Sequence, residues 1–261
     1  MRKRSFVPRA LIVPSIALIA SCFCAEAARA YIPPSSYQIA MLAKKHRNLK
    51  SIRVKTRITG PSAQIREIGY FDAKTQVWKA RFLDQSDHEI YAFERKLGMT
   101  DSLASLLLFE TNANAIMTAL KAAGIPVVTE AELQALPDEA ARRAAEKMSV
   151  GRLDHKIGWI IGEGVPSLWI LKDDFVPLKL IAGGSEIRFE ETKFTHDFPY
   201  ARSISIYRGS DFVLKGEAME VILNPDLADM RAIQVSGIPA ISSELPSAER
   251  SLIEQWVQWI R

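Results

Sequence analysis

Four histidines and two cysteines are the residues of this chain best suited to metal or nucleophilic chemistry: His46, His88, His155, His196, Cys22 and Cys24. No two histidines stand at the i, i+3 or i, i+4 spacing that puts two ring nitrogens on one metal, and no cysteine is near any of them, so the pattern does not argue for a metal site. His46 ends a predicted helix and His88 lies in a predicted turn, which suits solvated surface roles. His155 falls on the apolar face of a predicted strand, where a hydrogen-bonded core histidine is expected. Asp84 with Asp87, and Asp173 with Asp174, are carboxylate pairs of the kind hydrolases use, but turns select Asp for backbone reasons alone. The chain has no G-x-S-x-G elbow, no phosphate loop and no dinucleotide fingerprint. Gly162-Glu163-Gly164 lacks the third glycine and the helix that should follow. No cofactor is implied.

Six aromatics offer a different chemistry. Trp78, Phe82, Tyr91, Phe93, Trp159 and Trp169 all fall on predicted strands, as either an ordinary core or the wall of a pocket for acyl chains. Burial of each CH₂ is worth about 0.8 kcal/mol, so an apolar hollow binds lipid without any catalytic group. Arg53, Lys55 and Arg57 form a basic stripe, read as the solvated face of a strand or as a contact with anionic headgroups at a membrane surface.

The charge balance narrows the partners. The formal net charge is +4, but five of the 34 basic residues and only one of the 30 acidic ones lie in residues 1–30. The remainder is balanced, which removes the electrostatic case for nucleic acid. Residues 1–30 read as a signal peptide: a basic start (MRKR), an apolar run over Leu11–Phe23 too short to span a bilayer, and Ala28-Arg29-Ala30 before Tyr31. Ile19-Ala20-Ser21-Cys22 also fits a lipobox, with Cys22 as the lipidated residue. The expectation is therefore a periplasmic protein released before Tyr31, or one anchored to a membrane through Cys22.

The elements that would carry these residues follow from periodicity. A helix over Tyr37–Asn48, capped by Ser36, precedes a strand over Ser51–Thr59 with strict period-two alternation. Ala63–Phe71, Gln76–Leu83 and His88–Glu94 continue as hairpin-linked strands. The period then changes. Asp101–Glu110 is apolar almost all round and reads as a short buried helix. Thr111–Ala123 ends at Gly124 and Pro126. A capping box at Thr129–Glu132 opens a further helix, and Asp138–Met148 continues beyond Pro137. Strands resume at Ser149–Gly162, Ser167–Lys172, Pro177–Ala182 and Ser185–Thr195, with Gly183-Gly184 as a tight turn. Arg202–Tyr207, Phe212–Gly216 and Glu217–Leu223 follow. Residues 224–245 are read as irregular, and Ser247–Ile260 as an amphipathic helix.

Hairpin-linked strands interrupted by a helical insert predict an α+β, mainly antiparallel chain of about ten strands. It forms a single domain over 31–261, with the insert at 98–148 covering one face and a C-terminal extension over 224–261. In this order of parts, GYFDAKTQVWKARF from Gly69, HEIYAFE at His88–Glu94, TDSLASLLL at Thr100–Leu108 and SLWILKDDFVPLKL from Ser167 resemble segments of the LolA/LolB-like lipoprotein-carrier superfamily. That resemblance implies a curved, incomplete β-barrel lidded by helices, with a cavity that binds the acyl chains of lipoproteins. Lys74-Thr75 stands where the family carries an Arg-Pro dipeptide, so no cargo-transfer residue is carried over. The expected apolar cavity is lined by Trp78, Phe82, Tyr91, Phe93, Leu103, Leu106, Leu107, Trp159 and Trp169. The expected function is non-enzymatic binding of a lipid or a lipid-modified protein. Two alternatives stand beside it: an envelope scaffold with a filled core, and a hydrolase using turn carboxylates.

Overall fold

In the computed structural model, residues 32–97, 102–235, 241 and 245–261 are described. The proposed signal peptide, its two processing readings and Cys22 lie outside them. Helix α1 (Ser35–Lys45) leads into four hairpin-linked strands, β1 (Ser51–Thr59), β2 (Gln64–Asp72), β3 (Val77–Leu83) and β4 (Glu89–Lys96). The insert follows as α2 (Leu103–Phe109), α3 (Ala113–Ala122), α4 (Glu130–Gln134) and α5 (Glu139–Glu146). Then come β5 (Met148–Leu153), β6 (Lys156–Ile161), β7 (Ser167–Leu171), β8 (Pro177–Ala182), β9 (Ser185–Thr195), β10 (Phe198–Arg208) and β11 (Asp211–Leu223). Two helices close the order, α6 (Ala228–Ala232) and α7 (Ser247–Ile260).

All eleven strands belong to one antiparallel sheet in the order β4-β3-β2-β1-β11-β10-β9-β8-β7-β6-β5. Each half is a meander, and the halves join where β1 pairs with β11. The sheet is unclosed. Its free edges are β4 and β5, the two strands that the helical insert connects. In β1 the apolar residues Ile52, Val54 and Ile58 are buried, while Arg53, Lys55 and Arg57 point to the other side. That alternation gives the sheet an inner face under the helices and a polar outer face.

The sheet is curved. A flat sheet would hold β3 and β10 about 19 Å apart, with their side chains standing perpendicular to it. Yet one ring on α2, Phe109, lies 5.2 Å from Trp78 of β3 and 6.3 Å from Tyr200 of β10. Irregularities at Lys55/Thr56, Phe82/Leu83 and Ile206/Tyr207 add the local bend that a bulge supplies.

Local chemistry explains most element ends. Ser102 accepts a hydrogen bond from the Ser105 amide and starts α2; Asn112 does the same for α3. The capping box at Thr129 and Glu132 forms as read. Gly183 and Gly184 both take positive φ in the β8–β9 turn.

Four expectations change. Ser36, read as the cap of the first helix, lies inside it, and α1 starts after Pro34 without a side-chain cap. The stretch read as one strand over Ser149–Gly162 is a hairpin, with Asp154 and His155 as its turn, both at positive φ. His155 is therefore exposed and is not a core histidine. His46, read as solvated, is buried against Phe198. The region read as irregular contains α6, whose Met230 packs with Tyr70 and Ile233 in a small cluster on the outer face.

Candidate functional site

The inner face concentrates the aromatics. Trp78 of β3 stacks on Phe71 of β2 at 6.0 Å between ring centroids, and Phe109 lies 5.2 Å from each. Toward the β4 edge, Phe82, Tyr91 and Phe93 form a second group with centroid separations of 5.9, 6.0 and 6.5 Å. Leu107 is buried in the same core, Leu103 packs against it half-buried, and Leu106 is also buried. Across the sheet, Trp159 of β6 is buried and meets Phe175 at 5.2 Å; Phe175 in turn meets Tyr37 of α1 at 5.9 Å. Eight of the nine residues read from the sequence thus lie on the inner face or on the helix above it. Trp169 does not join them. It pairs with Ile160 and Lys179 on the outer side, and the Lys179 ammonium sits 4.2 Å from its ring centroid.

The most buried polar feature of the inner face was not among the residues singled out. Glu67 of β2 and Arg261, which follows α7, are both fully buried and pair through two hydrogen bonds, Nε to Oε1 at 2.8 Å and Nη2 to Oε2 at 2.9 Å. Trp256 Nε1 donates to the same Oε2 at 3.0 Å. The guanidinium lies 4.1 Å from the Trp78 ring centroid and 5.2 Å from that of Trp256. Burial by itself would lower the Arg261 pKa, but the Glu67 carboxylate and the Tyr200 side chain together outweigh burial and hold it above its ordinary value. Burial pushes the neighbouring Tyr200 phenol up. Among the described residues the buried Trp78 Nε1 in this knot has no hydrogen-bond partner, while the Arg261 guanidinium also faces the Tyr200 phenol.

Helix α7 reaches the knot because small residues leave room for it. Leu252, Ile253, Trp256 and Ile260 are its buried stripe. A Cβ at Gly216 of β11 would overlap the Trp256 ring, and one at Gly60 would meet Leu252. The carbonyls at the end of a helix lack intrahelical partners. Here Arg95 of β4 donates to Val257 O at 3.0 Å, Ser102 Oγ to Trp259 O at 3.0 Å and Ser105 Oγ to Ile260 O at 2.5 Å. The lid α2 and the helix α7 are therefore tied to each other, and α7 is tied to the sheet floor through Glu67.

His46 secures the other end of α2. Its Nδ1 donates to the carbonyl of Glu110, just past that helix, at 3.0 Å. Burial holds its pKa at about 4, below the ordinary 6.5, and the hydrogen bond to Glu110 only partly opposes this.

On the outer face Arg53 and Lys55 pair with Glu220 at 3.1 and 2.9 Å, and Arg57 pairs with Glu217 at 3.1 Å, a carboxylate it shares with Lys215. The basic stripe seen in the sequence is thus partly offset by the adjacent strand β11. The Asp84 carboxylate accepts from the amides of Ser86 and His88, which is the turn role. Among the described residues no group of three or more His, Cys, Asp or Glu is placed to hold a metal ion. Among them, too, no helix is long and apolar enough to cross a membrane.

Three surface clefts have volumes of about 410, 480 and 300 Å³: one between α1 and the start of α3, one around Ile125–Val128, and one on the outer face beside Tyr70, Arg81 and Asp229. None of the three is lined by any of the nine candidate residues.

No family model and no curated protein matches the chain. Among solved structures it is similar to a LolA superfamily protein from Nitrosomonas europaea, at 10% identity and TM-score 0.42, covering 78% of this chain and 99% of that one. It is also similar to a DUF1329 family protein from Desulfovibrio piger, at 9% identity and TM-score 0.39, covering 77% and 98%. The lipoprotein LppX from Mycobacterium tuberculosis is a third, at 9% identity and TM-score 0.26, covering 73% and 96%. At these scores the functional reading has to rest on the geometry of this chain.

Proposed function

We propose that this is a non-enzymatic envelope protein that takes acyl chains, from a lipid or a lipid-modified protein, against the inner face of its curved sheet beneath α2. The observation that carries the reading is the architecture of that face. A continuous apolar and aromatic surface bends around a core roofed by helices, and the two sheet edges remain unpaired instead of closing into a barrel. Phe71, Trp78, Phe82, Tyr91, Phe93 and Leu107 offer apolar contact. The envelope location rests on the basic, apolar and small-residue sequence of residues 1–30.

In this reading the roof must shift, because the aromatics pack on one another in the closed form. The test is titration of the purified protein with a fluorescent C16 fatty acid, together with mass spectrometry of its organic extract. Saturable uptake, or a co-purified acyl lipid, is the expected result; neither being found overturns the reading. A packed scaffold is the second reading. It is favoured by one specific observation, that the three clefts described above lie away from the aromatic core. A pull-down that recovers one stable protein partner, with no lipid, would support it.

A further inference from the structure

We infer that α7 is a resident plug: it and α2 move as one unit, and the Glu67–Arg261 pair is the latch that holds the unit on the sheet floor. The inference rests on the acyl-binding reading and adds how access to the site is controlled.

The inner face that acyl chains would cover is the face α7 already covers. Its stripe of Leu252, Ile253, Trp256 and Ile260 is buried, and the absence of side chains at Gly60 and Gly216 makes the slots it occupies. Ser102 and Ser105 of α2 satisfy the Trp259 and Ile260 carbonyls. Lifting α2 alone would orphan both hydroxyls and both carbonyls, so the lid leaves together with the plug. Arg95 of β4 holds the Val257 carbonyl, and Arg261 and Trp256 both bond one buried carboxylate of the floor, Glu67. A charged pair at the centre of an apolar contact is a poor glue compared with well-packed apolar side chains, but removing one partner is severely disruptive. Among the described residues the closed knot also leaves Trp78 Nε1 without a partner, a cost relieved when the unit swings out. These are the properties of a seat that holds firmly and opens as a whole.

The test compares wild type with Glu67→Gln and with the apolar pair Glu67→Leu/Arg261→Met, by hydrogen–deuterium exchange and by uptake of the fluorescent C16 fatty acid. In Glu67→Gln the amides of 103–109 and 247–260 are expected to exchange at least about tenfold faster, in step with each other, while β9–β11 keep their protection. In the apolar pair the same two helices are expected to stay as protected as in wild type or more so, with slower uptake. Faster exchange across sheet and helices alike in Glu67→Gln would make the pair a general core contact and overturn the inference. So would release of α2 without α7. If the two helices release together but no variant takes up the fatty acid, the plug stands and the acyl-binding reading falls. If the fatty acid binds the wild type while α7 keeps its full protection, the acyl-binding reading stands and the plug falls.

Discussion

A buried histidine with a depressed pKa makes a pH sensor of the fold itself. His46 is 2% exposed and neutral near pH 7, donating to the Glu110 carbonyl. Between pH 6.5 and about 4 the unfolded chain binds a proton on this ring that the folded chain refuses. The unfolded state therefore gains, and stability falls as pH drops through that window, by up to about 3 kcal/mol in all. Urea unfolding at pH 7 and pH 4 should show this loss, and His46→Gln should lower stability at pH 7 but flatten its dependence on pH. A second residue-scale expectation concerns Gly216, whose missing side chain admits the Trp256 ring. Gly216→Ala should overpack that contact and cost about 1–3 kcal/mol, read as a shift in the urea midpoint. Glu67 could have been flagged from sequence, since it interrupts the inward-facing series Ile65, Gly69, Phe71 with a charge. Arg261 gave no such signal, because its partner is 194 residues away along the chain.

Among the elements, most starts and stops were legible because they are local. Ser102, Asn112 and the Thr129–Glu132 box cap the helices they precede. The Asp154-His155 turn was missed because Leu153, Ile157, Trp159 and Ile161 keep an uninterrupted apolar alternation through it. A two-residue turn at positive φ leaves no break in that pattern. The basic stripe of β1 was visible, but Glu217 and Glu220 of β11, which partly offset it, became its neighbours only through the β1–β11 pairing. Exposed pairs of this kind contribute little to stability. The α2–α7 tie is different, because its hydroxyl and carbonyl are buried. Ser105→Ala should leave the Ile260 carbonyl unsatisfied and cost about 1–3 kcal/mol by urea unfolding, with faster amide exchange confined to 103–109 and 247–260.

Over the whole molecule, magnitudes decide what could occupy the inner face. Seating α7 buries four large apolar side chains, worth about 1.5–3 kcal/mol each, or roughly 6–12 kcal/mol together. A single chain with ten buried CH₂ groups returns about 8 kcal/mol, which only matches that range, whereas a C16 chain with about fourteen returns about 11 kcal/mol, enough for saturable if weaker uptake. Two or three chains exceed it. Diacyl or triacyl ligands are therefore expected to displace the plug with saturable binding, whereas a free fatty acid shorter than about ten carbons should not bind measurably. Isothermal titration with ligands of graded chain number and length checks this ordering. Equal binding of short single chains would mean that they enter without moving α7.

By itself the sequence determined the antiparallel meanders, the helical insert between β4 and β5, the capping box at Thr129 and most turns, because each depends on residues within a few positions of one another. It also determined which aromatics face inward on β3 and β4, since period two leaves no choice once a strand is placed. Trp169 shows the limit of that rule: its strand was placed correctly, but the side of the sheet that its ring would take was not. Only the tertiary structure decided that β1 and β11 join the two meanders, that Glu67 meets Arg261, and that α7 fills the bend of the sheet. The first two join residues more than 100 positions apart, and α7 seats against the sheet both at Gly216 and, far along the chain, at Gly60. Such contacts are selected by the packing of the whole chain and leave no periodic trace along it.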